Sequence, residues 1–410
     1  TTFTNEVRAM QAKAISFIDT EALRWFKELK KNNKNWKSAK SISTYQLEYL
    51  YVRSMYNQYP LNDEMKEMNN FYSSIIENNW TGFSLYQRSL ISILMQKQGK
   101  QEVGQAILKS YREHATVNEE MGMYWANNRA SVFMSQSAVS VHTFIMEAFR
   151  MAGAKDSEMD NMKRWLLKQK QTQLWESIHA TMDAVYALLS TGSDWFASDG
   201  ETAIAVGDEF IEPENKELGT GYFKQSWSKT EIEPAMGNVA IEQKGNTPAW
   251  GALYWQYFED LDKIEDSSAS LDVKKELYKE QTTQSGKQLA QITEVSPLKV
   301  GDKVVVRLTA RTDRDMEFVH LKDMRAAAFE PINQLSGVNW QDGVIYYQTS
   351  KDASTNYYFD VLPRGTYVFE YEVYVNRAGS YSNGITTIQS MYAPEFTSHT
   401  RGVRINVNSQ

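Results

Sequence analysis

Hydrophobic positions in the first 200 residues recur every three or four residues, the period of an amphipathic helix. The pattern predicts eight helices, with approximate bounds 5–31, 42–58, 62–78, 83–98, 100–114, 135–152, 157–171 and 176–190. The clearest apolar face is formed by Trp175, Ile178, Met182, Val185 and Leu189. Helices of similar length with short links favour antiparallel hairpins stacked in series.

A period of two, typical of strands, dominates the rest of the chain. It is clearest where Tyr367, Phe369, Tyr371, Val373 and Val375 alternate with mostly polar residues. The middle region predicts strands near 202–211, 222–232, 238–243 and 249–258, whereas 271–278 fits either a short helix or a strand. The last region predicts strands near 300–311, 316–322, 343–348, 357–361, 367–375, 384–391 and 401–407. Regular short strands with turn signals favour an antiparallel sandwich.

Proline and methionine usage places the change between the two patterns near residue 200. Thirteen of the 17 Met precede residue 200, and seven of the eight Pro follow residue 212. The predicted fold class is therefore α+β and multidomain, with a helical domain over 1–200, a β region over 201–290 and a sandwich over 291–410.

Composition narrows the function classes. The net charge is −7 without a long basic run, which disfavours nucleic-acid binding. No apolar run approaches the length of a membrane span. The absence of Cys removes thiolate metal sites, and the five His show no zinc-binding spacing. We therefore expect no metal site and no cofactor.

Aromatic residues offer one alternative function. The chain has 11 Trp and 23 Tyr, and aromatic platforms bind sugars. Tyr124 and Trp125, with Asn127, Asn128 and Arg129 close behind, could form the base and charge-neutralising groups of a polysaccharide lyase. Such lyases also join an α/α toroid to β-sandwiches. The simpler interpretation of this segment is a structured loop between helices, with the other Trp packed in the core.

Short motifs from about residue 45 to the end resemble bacterial α2-macroglobulin-like proteins. The strongest lies in the last domain, where LPRGTY at 362–367 is followed by MYAPE at 391–395. GMYW at 122–125 and the stretch 165–189 are similar to the thioester domain of that family, and WGALYWQ at 250–256 looks like a strand of the following β region. DRDMEFV at 313–319 resembles a strand of the last domain.

This resemblance implies a specific architecture. Residues 1–200 would be a partial α/α toroid of the thioester-domain type, truncated at its N-terminus. Residues 201–290 would be a CUB-like region or linker sandwich, and residues 291–410 a seven-stranded macroglobulin sandwich like the receptor-binding domain.

The resemblance also implies a function, a non-enzymatic, broad-spectrum endopeptidase inhibitor that traps host or competitor proteases after they cut a bait region. We therefore expect that the chain is not an enzyme and has no catalytic residue. Such proteins are extracytoplasmic, in the periplasm or at the cell surface, and this chain would be exported, with a lipid anchor upstream of it. Its other partners would be its own neighbouring domains, with no nucleic acid and no membrane span.

In many family members a Cys–Gln thioester, in a Cys-x-Glu-Gln motif, acylates the protease. This sequence contains no Cys. Either the motif lies upstream of Thr1, or this protein traps proteases by other means. By resemblance, Met391 and Tyr392 match the segment that covers the thioester. Such a cover is needed because a thioester hydrolyses when water reaches it. The simpler interpretation is that Met391 packs in the sandwich and Tyr392 ends a strand.

Overall fold

A computed structural model describes residues 2–128, 137–175, 177–193, 200–213, 216–218, 221–245, 249–284, 286–293 and 298–409. The chain divides into two compact units. The first contains residues 1–167 and 175–251, and the second contains residues 168–174 and 252–410.

The first unit contains all eight predicted helices. They are α1 Thr2–Asn32, α2 Thr44–Arg53, α3 Asp63–Asn79, α4 Leu85–Lys97, α5 Gln101–His114, α6 Ala138–Met151, α7 Asp156–Thr172, whose last turn falls in the second unit, and α8 Ile178–Ser190. Capping boxes begin α2 at Ser43 and α4 at Ser84, because each Ser side chain accepts a backbone N–H that has no partner within the helix. None of the described helices is long and apolar enough to cross a membrane.

Alternate helices pack in series. α2 contacts α4, α4 contacts α6, and α6 contacts α8. The centre of this unit is formed by fully buried side chains such as Leu90, Ile145 and Phe149. The helical prediction is confirmed, whereas closure of the helices into a toroid stays a prediction.

The apolar face predicted for α8 is exposed and does not pack into the core. Ile178, Met182, Val185 and Leu189 are all exposed, and the face that packs inward consists of Ala180, Ala184 and Ala187. Alanines allow α8 to approach α6 closely, because their side chains end at Cβ. The prediction was wrong because a helical period identifies an apolar stripe and not the neighbour that covers it.

The described residues of the first unit also form five short strands. β1 Thr116–Asn118 and β2 Gly122–Tyr124 form a hairpin after α5. β3 Glu201–Val206 pairs with both β4 Glu209–Phe210 and β5 Val239–Lys244. Every residue of β5 is exposed, so this small sheet adds little to the core.

Two predicted strands of the middle region are absent from the described residues. The segment 222–232 has only a short 3₁₀ turn, Lys229–Glu231, and the segment 249–258 has no regular structure. The aromatic side chains of the latter segment are exposed, among them Trp250, Tyr254, Trp255, Tyr257 and Phe258. The prediction of a strand at Trp250–Gln256 was therefore wrong, because the backbone of this segment pairs with no described strand.

The second unit is an antiparallel sandwich. Its strands are β6 Leu271–Thr283, β7 Gly286–Gln291, β8 Leu298–Lys299, β9 Lys303–Thr312, β10 Met316–Met324, β11 Phe329–Pro331, β12 Gly337–Gln341, β13 Val344–Ser350, β14 Ser354–Leu362, β15 Gly365–Val375, β16 Gly379–Ser382, β17 Thr386–Ser390, β18 Thr397–His399 and β19 Arg404–Asn408. One sheet has the order β12-β13-β14-β10-β17-β18, and the other has the order β11-β15-β9-β6-β7. A small third sheet has the order β16-β19-β8.

β15 follows its sequence pattern throughout. Tyr367, Phe369, Tyr371, Val373 and Val375 are buried, while the residues between them are exposed. All seven strands predicted after residue 291 are present. β6 resolves the ambiguity at 271–278 as a strand, and it pairs with β9 from Leu271 to Lys279. The sandwich therefore begins about twenty residues earlier, and has more strands, than the sequence predicts.

The turn before β15 is shaped by residues of the LPRGTY motif at 362–367. The Tyr367 hydroxyl donates to the Pro363 carbonyl at 2.8 Å, and its ring lies over Gly365. A Cβ at residue 365 would stand 3.0 Å from that hydroxyl oxygen. Glycine, proline and tyrosine at these positions therefore fix the entry of the strand together.

A buried ion pair lies within the sandwich. Lys275 of β6 contacts the Asp323 carboxylate of β10 at 2.8 Å, and Asp323 is completely buried. Tyr371 and Thr386 each donate a hydroxyl to the same carboxylate at 2.5 Å. Burial, with the Asp323 charge beside it, raises the pKa of Tyr371 well above its usual value. The four side chains come from four strands, so they tie the two large sheets together.

Candidate functional site

The loop between β17 and β18 presents two large side chains to solvent. Met391 is 55% exposed and Tyr392 is 79% exposed, although both follow a strand whose Ile388 is fully buried. The loop is anchored behind them by Ala393 and Phe396, which are buried. Phe396 packs under the Arg314 guanidinium, 5.2 Å from its ring centroid.

The third member of this exposed group is Phe318 of β10. Its ring meets the Tyr392 ring edge-to-face, with centroids 5.1 Å apart and an interplanar angle of 85°. Its carbonyl accepts the Met391 backbone N–H at 2.9 Å. Phe318, Met391 and Tyr392 together are called the aromatic tip below.

Phe318 has an unusual backbone. Its φ of 53° lies in the left-handed region, which bulky residues rarely adopt inside a strand. The reversal places both Met316 and Val319 in the core and leaves the Phe318 side chain 37% exposed beside the loop. Such a conformation costs about 1–3 kcal/mol and persists only where its surroundings impose it. Strained residues of this kind cluster at functional sites.

The sequence identified Met391 and Tyr392 but not Phe318. Nothing in the sequence marks a left-handed phenylalanine, because only Gly, Asn and Asp commonly signal that conformation. The exposed positions of Met391 and Tyr392 differ from the simpler interpretation, in which Met391 packs in the sandwich. Whether the pair covers a thioester stays a prediction.

The other candidate pair, Tyr124 and Trp125, lies in the first unit at the end of β2. Trp125 is 1% exposed, and its Nε1 donates to the Tyr111 carbonyl at 3.0 Å. The Tyr124 ring is half-buried and stacks on the Trp165 ring at 6.5 Å. Arg129, the third element of the proposed cluster, lies outside the described residues. Trp125 therefore contributes a core contact and no open platform.

His142 lies in the same core. Its ring stacks on Trp165 at 4.2 Å and its Nε2 contacts the Met162 carbonyl at 3.1 Å, which fixes Nε2 as the protonated nitrogen. Its Nδ1 has no hydrogen-bond partner among the described residues. Burial lowers the pKa of His142 to about 3. The ring is therefore neutral across the physiological range.

Acid is expected to destabilise the first unit through His142. Below its unfolded pKa of about 6.5 the unfolded ring takes up a proton that the folded ring excludes, so the free energy of unfolding falls by up to about 1.4 kcal/mol per pH unit. We expect His142→Phe to flatten this dependence in urea unfolding measured between about pH 7 and about pH 5. His114→Gln is the control, because it removes an exposed imidazole and leaves the buried His142 ring in place. Equal slopes for wild type and His142→Phe would contradict the expectation.

The described residues include no group of three or more His, Asp or Glu side chains that could hold a metal ion. An open groove lies on the outer face of the five-stranded sheet, between Glu280, Lys287, Glu370 and Glu372. Its charged groups are paired, since Lys287 and Lys303 both contact Glu280. This groove is a solvated ion-pair surface.

Comparison with protein families identifies the sandwich. Residues 271–395 match the model of the bacterial alpha-2-macroglobulin MG10 domain. The match begins at the first residue of β6 and ends in the loop of the aromatic tip. The predicted resemblance to this family is confirmed for this domain.

Comparison with individual proteins gives more distant similarities. Circularly permutated Ras protein 2 of Dictyostelium discoideum is 27% identical over 120 residues, which covers 28% of this chain and 3% of that protein. Alpha-2-macroglobulin of Escherichia coli activated by porcine elastase is 13% identical, with a TM-score of 0.32 over 90% of this chain and 34% of the other. A mutant alpha-2-macroglobulin from Salmonella is 13% identical, with a TM-score of 0.29 over 89% of this chain and 22% of the other. TM-scores at this level do not establish a shared overall fold, and the chain spans less than two thirds of each of these proteins.

Proposed function

We propose, from the premise that residues 271–395 form a bacterial alpha-2-macroglobulin MG10 domain, that this chain is part of a broad-spectrum endopeptidase inhibitor. In this proposal the whole protein traps host or competitor proteases after they cut a bait region. The observation that carries the proposal is the family match over the sandwich. The proposed location is extracytoplasmic, because a trap must meet foreign proteases.

Within that function, the aromatic tip is proposed as a lid. Tyr392 and Met391 extend into solvent from a rigid sandwich, and Phe318 supports them from the neighbouring strand. Large apolar groups held outside a core are suited to covering another surface, because they exclude water where they land. The proposed surface is a reactive thioester elsewhere in the full protein, which water would otherwise hydrolyse. The helices of the first unit are proposed to be part of the toroid that carries it.

Trapping has a distinctive assay. The longer natural protein that contains this chain is mixed with proteases of different catalytic classes, and cleavage is followed on a large protein substrate and on a small peptide. A trap protects the large substrate and leaves the small peptide accessible. We expect protection from several classes, together with a more compact form on native gels after cleavage. The proposal is abandoned if the cleaved protein neither rearranges nor retains protease.

The lid has a test of its own in the same protein. We expect Tyr392→Ala combined with Met391→Ala to lose trapping capacity on storage, because water reaches the protected group before any protease does. Tyr374→Ala is the matched control, since Tyr374 is similarly exposed on β15, away from the tip. Storage kinetics identical to wild type would remove the lid and leave the inhibitor proposal standing.

The polysaccharide lyase is the rival function. It needs a Tyr or His base with Arg in an open cleft. Trp125 and His142 are buried, and Tyr124 stacks on Trp165, so the described residues of this segment favour core packing. A lyase would release unsaturated uronate products, which absorb ultraviolet light, from acidic polysaccharides. No such absorbance is expected.

A further inference from the structure

The end of α7 contacts the chain segments that carry the aromatic tip. Residues 168–174 belong to the second unit, together with the sandwich. Among the described residues, three hydrogen bonds join Gln171, Gln173 and Leu174 to the start of β10 and to the loop after β17. Residues 171–174 are called the clasp below. The clasp is therefore bound to the same two segments that hold Phe318 and Tyr392.

Two bonds of the clasp lead to the strand that carries Phe318. The Gln173 side-chain amide donates to the Asp315 carbonyl at 2.8 Å. The Leu174 backbone N–H donates to the Glu317 carboxylate at 3.0 Å. A bond to an ionised acceptor is stronger than one between neutral groups. Because Glu317 directly precedes the left-handed Phe318, these bonds fix the chain on one side of the tip.

The third bond leads to the loop that carries Met391 and Tyr392. The Gln171 side-chain amide donates to the carboxylate of Glu395, three residues after Tyr392. The Lys168 ammonium donates to the Gln171 Oε1 at 3.1 Å. With its oxygen occupied in this way, the amide of Gln171 presents its N–H groups to Glu395. The clasp therefore holds both sides of the tip.

Four of the motifs found in the sequence meet at this place. The Asp315 carboxylate, in DRDMEFV, accepts the backbone N–H of Arg364, in LPRGTY, at 2.6 Å. The clasp lies in the stretch 165–189, and Glu395 ends MYAPE. All of these contacts are exposed. Exposed polar contacts stabilise a fold little, because water competes for the same groups, so their convergence beside the tip indicates positioning more than stability.

We infer that the clasp positions the aromatic tip, with Glu317 and Glu395 as its two acceptors on the sandwich. This inference rests on the proposed function of the tip as a lid and adds the residues that set the position of that lid. Met391 and Tyr392 are mostly exposed, so their own loop buries little of them. Exposed side chains that are ordered in advance lose less conformational freedom when they cover a surface. A tip held by the clasp would therefore cover its target more tightly than a free loop.

Hydrogen exchange of the 410-residue chain tests the clasp without any protease. We expect Glu317→Ala to speed exchange in peptides that contain the Met391 amide by about fivefold, the effect of losing one hydrogen bond. Glu317→Gln keeps an acceptor oxygen for the Leu174 N–H and should exchange at the wild-type rate. Glu372→Ala is the matched control, because it removes a carboxylate that contacts Lys303 at 2.6 Å, outside the clasp and the tip. It should leave exchange at Met391 unchanged.

A charge exchange between residues 171 and 395 tests their direct contact. Glu395→Lys places an ammonium against the Gln171 amide and near Lys168, and none of these donors has an acceptor there. We expect it to speed exchange at Met391 as Glu317→Ala does. Combining it with Gln171→Glu supplies a carboxylate between the two lysines and should restore the wild-type rate. General damage to the loop would not be repaired by a substitution on α7.

Storage of the longer natural protein tests the effect on the lid. We expect Glu317→Ala to lose trapping capacity faster than wild type, while its unfolding midpoint stays unchanged. Glu317→Gln should store like wild type, because it keeps the acceptor for Leu174. A residue with a merely structural role would lower the unfolding midpoint instead.

Three results overturn the inference: Glu317→Ala with wild-type exchange at Met391, Glu395→Lys that Gln171→Glu does not repair, or faster exchange with wild-type storage. The exchange measurements need no trapping, so they decide whether the clasp orders the tip even if the longer protein traps no protease. That last outcome would count against the proposed function alone. The charge exchange keeps the test decisive if Glu317→Ala fails to fold.

Discussion

Replacing Lys275 by methionine is expected to lower the free energy of unfolding of the sandwich by about 3–5 kcal/mol. The substitution keeps the length of the side chain but leaves the buried Asp323 carboxylate without its cation. The hydroxyls of Tyr371 and Thr386 would remain as donors, but they carry no charge to offset the desolvated carboxylate. Urea unfolding followed by far-ultraviolet circular dichroism measures the loss.

The neighbouring residue supplies the matched control. Lys274 lies one position earlier on the same strand, and its exposed side chain contacts Glu276 at 2.9 Å. Lys274→Met removes the same charge from solvent, so little change in the unfolding midpoint is expected. Combining Lys275→Met with Asp323→Asn should recover part of the loss, because the pair is then neutral on both sides. Equal destabilisation by the two lysine substitutions would refute the assignment of a buried ion pair.

Replacing Gly122 by alanine is expected to cost the first unit about 3 kcal/mol or more, by two additive effects. Gly122 has a φ of 70°, where a side chain is strained. A Cβ at this position would also stand 2.0 Å from the Asn161 carbonyl oxygen of α7, so the hairpin would have to move away from the helix. Tyr124 and Trp125 follow directly and would lose their positions against Trp165 and Tyr111.

Gly153→Ala separates the two effects. Gly153 has almost the same φ, 71°, but open space where its Cβ would be. We expect it to lose only the backbone contribution, about 1–2 kcal/mol. The difference between the two variants measures the close approach of the hairpin to α7. Thermal unfolding monitored by tryptophan fluorescence gives both values, and losses of the same size would contradict the close approach.

Sequence patterns predicted which segments form helices and strands better than they predicted which face of each segment is covered by a neighbour. For β15 the pattern predicted which side chains are buried and which are exposed, because one buried face and one solvated face give a clean alternation. The patterns failed where the neighbour decides the outcome. The apolar stripe of α8 and the aromatic segment at 249–258 both have the composition of buried structure, yet no described element covers them.

The candidate site was only partly accessible from the sequence. Met391 and Tyr392 came from a motif, whereas Phe318 came from its backbone conformation, which depends on the loop that packs beside it. The Lys275–Asp323 pair was equally hidden, since charged residues in strands are normally read as solvent-facing. Such features arise from contacts between residues far apart in sequence, and local periodicity carries no information about them.

The inward alanines of α8 imply that this helix is held less tightly than α4 and α6. Each buried alanine methyl contributes only about 0.8 kcal/mol of hydrophobic free energy, whereas a buried leucine, isoleucine or phenylalanine side chain contributes about 1.5–3 kcal/mol. α4 and α6 bury residues of the larger kind, among them Leu90, Leu94, Ile145 and Phe149. Of these three helices, α8 therefore has the least hydrophobic free energy holding it to its neighbours, and we expect it to detach before α4 and α6.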